Sequence, residues 1–282
     1  TCGGFTASGE KLSGKDEAEK IRMDCDGQNA TVLSMEKQVK TVQPPRLYDL
    51  TTLQRECNRI YGYTAQQTLD YVQSLYEKKL ATYPRTDSQY LTEDMQATAA
   101  SLVLWLREHM PFGKGCTREP DIDRVTDGSK VTDHHAIIPT VEIARTDLSE
   151  LPSGERDVLT LIAARLLSAT VQAHRFEAVT AVLDCQGNSF TAKGKTVLQA
   201  GWKEVERLYR MGLKESKPED DENMDASLPM LQEGQIFETV SASVREGKTS
   251  PPKHYTEDSL LAAMETAGAG DMPEDAERKG LG

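Results

Sequence analysis

Leu183-Asp184-Cys185-Gln186-Gly187-Asn188-Ser189-Phe190-Thr191-Ala192-Lys193-Gly194-Lys195 is the stretch from which the architecture is read. It closes a run in which Phe176, Val179, Ala181 and Leu183 alternate with other residues, the period of a half-buried strand, and Gln186-Gly187-Asn188 supplies turn chemistry. Residues 176–209 are therefore expected to be strand-like. The stretch also has faint copies near the start of the chain. Phe5-Thr6-Ala7-Ser8-Gly9-Glu10 resembles Phe190-Thr191-Ala192-Lys193-Gly194-Lys195, and Met23-Asp24-Cys25-Asp26-Gly27 resembles Leu183-Asp184-Cys185-Gln186-Gly187. Matching strand units on both flanks predict one β-rich domain with a different block inserted into it.

That block carries the helical period. Thr51 is expected to cap a helix through Leu53 and Ile60. Thr64 and Gln67 form a capping-box pair that opens a helix to about Lys79, with Leu69, Val72, Leu75 and Tyr76 toward the core. Thr92 reads as the cap of a helix through Trp105 and Leu106, ending near Pro111. Gly113–Ser129 reads as a polar loop and Val131–Thr140 as an extended segment. Ser153 is expected to cap a long helix with Val158, Leu161, Ile162, Leu166 and Leu167. The class is α+β, and the acidic stretch Glu215–Asp225 is expected to be a solvated loop.

With 282 residues the chain has room for two domains. Its net charge of −12 argues against a nucleic-acid binder only if the charge is evenly spread, and it is not. From Leu213 onward there are 16 acids and 7 bases; before it there are 29 and 26. Five scattered cysteines without a Cys-x-x-Cys pair argue against a disulfide framework or zinc site and fit a reducing compartment. No apolar run reaches membrane-span length and no secretory signal opens the chain, so a cytoplasmic protein is expected. The opening Thr1-Cys2-Gly3-Gly4-Phe5 and the close at Gly282 read like cuts through a longer protein.

The chemistry concentrates in Ala81-Thr82-Tyr83-Pro84-Arg85-Thr86-Asp87-Ser88. Proline biases the preceding residue toward an extended backbone, where residues two apart share a face. Tyr83 and Arg85 are thus expected side by side, a phenol beside a guanidinium able to grip a phosphate through two hydrogen bonds. Lys78, Lys79 and Arg85 outweigh Glu77 nearby. A packing tyrosine before a turn is the plainer alternative from this string alone. His134-His135 lies in an extended segment, so its rings point apart and cannot chelate one metal together; one could face a substrate. Gly9-Glu10-Lys11-Leu12-Ser13-Gly14-Lys15-Asp16 misses a phosphate-binding P-loop at its last position, where Asp16 would repel a nucleotide. Asp24/Asp26 and Asp121/Asp123 read as solvated carboxylates, and no metal ligand is assigned.

Tyr83-Pro84-Arg85-Thr86-Asp87-Ser88, followed about fifty residues later by His134-His135-Ala136-Ile137-Ile138-Pro139-Thr140, resembles the type IA DNA topoisomerases. Pro44-Pro45-Arg46-Leu47-Tyr48, ahead of Leu53-Gln54, is similar to the topoisomerase III branch, and Pro251-Pro252-Lys253-His254-Tyr255-Thr256-Glu257-Asp258-Ser259-Leu260 is similar to the segment where the family's chain enters its gate-proximal domain, so the resemblance covers nearly the whole chain. It implies part of a toroid. Residues 1–47 and 173–248 would be a β-rich arch, 48–172 the helical tyrosine-bearing domain inserted into it, and 249–282 the truncated start of a base domain.

The resemblance further implies that Tyr83 attacks single-stranded DNA and becomes joined to its 5′-phosphate, without ATP. Arg85 would hold the scissile phosphate, and His134 would bond the phosphate or orient a neighbour. DNA contacts are implied for Lys78, Lys79, Thr86, Asp87, Ser88, His135, Thr256 and Ser259. A passing DNA strand is the second implied partner, and a bacterial, nucleoid-associated monomer is expected. The family's Mg2+ ligands lie in a Toprim domain whose sequence is not among these residues, so no metal is expected here and the chain alone is expected to cleave weakly or not at all. A relaxase is disfavoured by the adjacent histidines, and a tyrosine recombinase would instead join the 3′-phosphate. A non-catalytic single-strand-binding or docking module is the remaining alternative, disfavoured by 6% aromatic content and net acidity.

Overall fold

The structure, a computed structural model, describes residues 1–116, 118–213 and 228–267. Among these are helices α1 (Lys15–Cys25), α2 (Leu50–Tyr61), α3 (Ala65–Glu77), α4 (Gln96–His109), α5 (Ser153–Thr170), α6 (Trp202–Met211) and α7 (Glu257–Thr266). The strands are β1 (Ala30–Val42), β2 (His174–Cys185), β3 (Asn188–Gln199) and the short β4 (Ile236–Phe237). The expected loop at Glu215–Asp225 lies outside the described residues. The chain divides into a strand-bearing unit drawn from residues 1–42, 174–200 and 215–251, and a helical unit drawn from 43–173, 201–214 and 252–282.

In the strand-bearing unit an antiparallel sheet has the order β3-β2-β1-β4. The hairpin between β2 and β3 turns on Gln186 and Gly187, at φ 53° and 77°. Positive φ at both central residues is the requirement of the tight turn that matches strand twist. Val32, Ala181, Leu183 and Ala192 line one face and pack with Phe5, Cys25 and Leu231.

The repeat behaves differently from the expectation. Met23 and Cys25 end helix α1 rather than forming a strand, and Phe5 to Glu10 is irregular. The copies instead touch: Ser8 and Thr191 exchange backbone hydrogen bonds at 2.9 and 2.8 Å, and the Cys25 thiol donates to the Cys185 carbonyl at 3.3 Å. The strand contributed by the first flank is β1. The expected strand character of 176–209 also fails past Gln199. Gly201, at φ 57°, brings its Cα so near the Gln172 and Ala173 carbonyls that a Cβ would lie 2.4 Å from them. Only glycine fits this reversal, and Trp202, Val205 and Tyr209 then follow at helical spacing in α6.

The helical unit has an extensive core that includes Leu53, Leu75, Leu106, Leu159 and Leu166, each essentially sealed from solvent. The Thr64–Gln67 capping box forms as expected. Helix α2 is capped by Asp49 with Thr52, not by Thr51. At α5 Pro152 occupies the cap position and Ser153 is already helical, with no side-chain cap bond. A 3-10 turn, Glu93–Met95, separates Thr92 from α4. The supposed polar loop after Gly113 carries buried Cys116 and Val125.

One polar network ties the Pro44–Asp49 segment to two helices. The Tyr48 hydroxyl donates to Glu56 at 2.6 Å, and the Arg165 guanidinium, 4.1 Å from the centre of the Tyr48 ring, pairs with the same carboxylate. Burial pushes the Tyr48 phenol far above its ordinary range. Tyr48 is thereby a fixed point, and its carbonyl accepts from Ile137 N–H at 2.8 Å, which places the two-histidine segment.

Candidate active site

Helix α3 ends in a reversal that aims the tyrosine string. Leu80 N–H donates to the Leu75 carbonyl and Lys79 N–H to the Tyr76 carbonyl, each at 2.8 Å. This bond pair is the Schellman ending, which needs a left-handed residue. Lys79 takes that place at φ 62°, where glycine would avoid a strain of about 1 kcal/mol. The Thr140 hydroxyl donates to the Lys79 carbonyl.

Two short segments then run side by side. Thr82 N–H donates to the Ile138 carbonyl and Thr140 N–H to the Leu80 carbonyl, both at 3.0 Å. The Thr82 hydroxyl donates to the Ala136 carbonyl at 3.1 Å and accepts from Ile138 N–H at 3.0 Å. Four residues further on, the Thr86 hydroxyl donates to the His134 carbonyl at 2.7 Å. Tyr83 is held between these clamps. Its ring is half-buried, with the His134 ring centre 4.4 Å away and the Tyr76 ring edge-on at 5.4 Å.

Pro84 is buried and Arg85 exposed. Thr86 N–H donates to the Pro84 carbonyl at 3.1 Å, a three-residue turn centred on Arg85. No hydrogen bond or ion pair holds the Arg85 guanidinium among the described residues, which leaves it open to an anion. His134 is exposed; His135 is half-buried, and its Nδ1 lies 2.9 Å from the Ala136 carbonyl, a distance that places the proton on that nitrogen.

The remaining sequence-selected residues divide. Lys79 is exposed beside the tyrosine string. Lys78 pairs with the carboxylate of Glu155, a residue only 7% exposed that also accepts from Ser74 at 2.9 Å. Ser88 is buried and donates to the Lys130 carbonyl at 2.9 Å, so its hydroxyl positions the loop rather than facing solvent. Asp87 accepts from the Thr132 hydroxyl at 3.0 Å. Thr256 and Ser259 face each other in the capping box of α7, where Thr256 accepts from Ser259 N–H. Sequence reasoning missed three contributors. Tyr76, expected in the core, is 41% exposed and packs on Tyr83; Thr82 and Thr140 are the hydroxyls that lock the paired segments. Among the described residues no cluster of three or more His, Cys, Asp or Glu could hold a metal ion, and no helix is long and apolar enough to cross a membrane.

This fold and tyrosine site accompany a sequence match to the DNA topoisomerase family over residues 4–274, and the chain belongs to that family. Within it, the chain is a type IA, topoisomerase III-like sequence. It is 37% identical to DNA topoisomerase 3 of Bacillus subtilis over 262 residues, covering 90% of this chain and 35% of that protein. DNA topoisomerase 3 of Bacillus cereus is 36% identical over 260 residues, covering 89% and 34%. Full-length topoisomerase I from Thermotoga maritima shares the fold at a TM-score of 0.69 and 23% identity, over 94% of this chain and 42% of that one. The chain spans about a third of the length of the curated relatives it matches.

Proposed function

We propose that Tyr83 is the nucleophile by which a DNA topoisomerase cuts and rejoins one DNA strand. The phenolic oxygen attacks a backbone phosphorus of single-stranded DNA. The new O–P bond joins Tyr83 to the 5′-phosphate, the bond to the 3′ oxygen breaks, and the proton lost by the phenol is balanced by one gained at the leaving oxygen. Attack by the 3′-hydroxyl reverses the step. The phosphodiester is conserved in the phosphotyrosine, so strand passage, relaxation and decatenation need no ATP. Arg85 offsets charge at the phosphate and His134 bonds the phosphate or orients the phenol. Lys79 adds a cation, and a lysine in a backbone state that suits glycine supports a use for its side chain. The observation that carries the reading is Tyr83 clamped against His134 with an open guanidinium two residues on. The described residues do not suit the Mg2+ that the resemblance implies, and no step here passes through it.

An arch interrupted by a tyrosine-bearing domain, within a toroid, is the matching architecture. A bacterial cytoplasmic, nucleoid-associated monomer acting on a cut strand and a passing strand is the matching setting. The chain alone forms the adduct poorly, because the Toprim residues that the resemblance implies for the reaction are not among these residues. The test grafts this chain in place of the matching stretch of the Bacillus subtilis relative and offers end-labelled single-stranded oligonucleotide. The graft should form a 5′-phosphate adduct, and Tyr83→Phe should lower it by at least ~1,000-fold while oligonucleotide binding persists. Adduct retained by Tyr83→Phe, or joined to the 3′-phosphate, overturns the reading. Lost binding with no adduct in either form supports the non-catalytic module, and robust adduct from the isolated chain refutes the weak-activity proposal.

A further inference from the structure

The sheet of the strand-bearing unit runs well past its own core. Its register sorts side chains onto two faces. Val32, Met35, Ala181, Leu183 and Ala192 lie on the packed face, and Lys37 continues that face beyond the core, opposite Val179 and Gly194. The other face carries the rows Glu36–Thr180–Lys193, Gln38–Ala178–Lys195 and Lys40–Phe176–Val197. Lys40 and Lys193 are exposed, Lys195 and Phe176 partly so, and the Lys195 ammonium lies 4.8 Å from the centre of the Phe176 ring. Glu36 is the acid within those rows; Asp184 stands farther up the same face.

In a chain of net charge −12, three lysines on one sheet face, one of them over the Phe176 ring and one opposite it, mark a local reversal of sign. Residues two apart on a strand sit about 7 Å apart and neighbouring strands about 5 Å apart. Lys193 and Lys195 therefore stand ~7 Å apart on β3, and Lys40 stands ~12 Å from Lys195 across β2, spacings that an extended phosphate backbone can meet at neighbouring and next-but-one phosphates. We propose that this face binds the backbone of single-stranded DNA, with Lys40, Lys193 and Lys195 on phosphates and Phe176 supporting the strand between them. The inference rests on DNA being the substrate, and it adds a binding surface that takes no part in the chemistry at Tyr83.

Edge lysines also guard sheets against pairing with other copies, and among the described residues β3 and much of β1 are edges. Charge reversal separates the two roles, since glutamate guards an edge but repels phosphate. The experiment titrates a dT oligonucleotide with the full chain over a range of salt, reading anisotropy. The variant K40E/K193E/K195E should bind at least ~10-fold more weakly at low salt, with the slope of log affinity against log salt shallower by about 2, at roughly 0.7 per phosphate contact. Lys37→Glu, on the same β1 strand but the opposite face, should leave the slope unchanged. In a chain where the triple variant fails to fold, amine labelling of the wild type is the second measurement. DNA should protect Lys40, Lys193 and Lys195 and leave Lys37 reactive.

Equal slopes in wild type and triple variant, unprotected lysines, or no oligonucleotide binding by the chain at low salt each overturn the proposal. A duplex that binds with the same affinity and protection overturns the single-strand assignment. None of these outcomes touches the adduct formed by the graft, so the nucleophile reading and this one fail separately.

Discussion

In the helical unit Leu53, Leu75, Leu106 and Leu166 are sealed from solvent, whereas in the strand-bearing unit Leu33, Val39, Val197 and Leu198 are each about half exposed. The helices close around a shared core. Among the described residues the sheet's apolar core lies toward one end, and beyond it the strands continue with Val39, Lys40, Val197 and Leu198 exposed. The difference teaches what each unit can position. A single ring fixed against another ring needs a scaffold that cannot relax, and the core beneath the Tyr83 segment supplies it through Leu80, Ala81, Ile137 and Ile138. A sheet that outruns its core cannot hold one atom so tightly, but it spaces side chains evenly over a long surface.

The largest expected effect on stability comes from removing bulk in the sealed region. Leu106→Ala should destabilise the helical unit by about 3 kcal/mol, the transfer and cavity cost of a buried leucine. Val39→Thr on the exposed end of β1 should change stability by less than about 0.5 kcal/mol. Urea unfolding followed by helix and sheet signals separately reads both. Equal losses would show that the distal sheet is packed after all, and the contrast between the units would be lost.

Next in size is the ion pair that fixes the end of α3. Lys78→Met leaves the Glu155 carboxylate, among the described residues, with the Ser74 hydroxyl as its remaining hydrogen-bond partner and should cost about 2 kcal/mol, less than a fully buried pair because Lys78 is itself partly exposed. Lys79→Ala should change stability little, since both residues strain the same left-handed position, and should instead weaken oligonucleotide binding. If Lys78→Met leaves stability intact and lowers DNA affinity as Lys79→Ala does, the two lysines act alike and the pairing with Glu155 is incidental.

How much of this was legible follows from the range of the interactions involved. The Thr64–Gln67 cap and the turn at Gln186-Gly187 are local, and the sequence reading placed both. Asp49 displaced Thr51 because the cap depends on which side chain reaches a free N–H, and a shift of two residues is invisible to periodicity. Helix α6 was hidden because Val197 and Leu198 continue the apolar run of β3 almost to Gly201, where the change of direction depends on carbonyls from Gln172 and Ala173. In the site, Tyr83, Arg85 and His134 were marked by their strings, but the clamps were not. Thr82, Thr86 and Thr140 bond to backbone groups about fifty to sixty residues away, and no local pattern announces such partners. The repeat was visible but misread: likeness of sequence became contact between the copies rather than likeness of conformation.

The smallest effect lies in two caps of equal form and unequal support. Thr64 accepts from Gln67 N–H at 3.1 Å and Thr256 from Ser259 N–H at 3.2 Å, with reciprocal bonds of 2.9 and 2.8 Å. Helix α3 packs on α5 and presents buried Val72 and Leu75, so loss of its cap acts on a helix built into the core. Thr64→Ala should cost about 1 kcal/mol of the helical unit's stability. Helix α7 has no buried residue and is tied to α2 by Arg55, which pairs with Asp258 and Glu265, each at 3.0 Å. Thr256→Ala should therefore fray α7 locally, with about 0.5 kcal/mol or less in global unfolding and faster amide exchange confined to its first turn. The same variant also weighs the DNA contact that the family resemblance implies for Thr256. A hydroxyl engaged in a cap has little to offer a phosphate, so oligonucleotide affinity should stay within about twofold, and a tenfold loss without a change in α7 exchange would return Thr256 to the DNA surface.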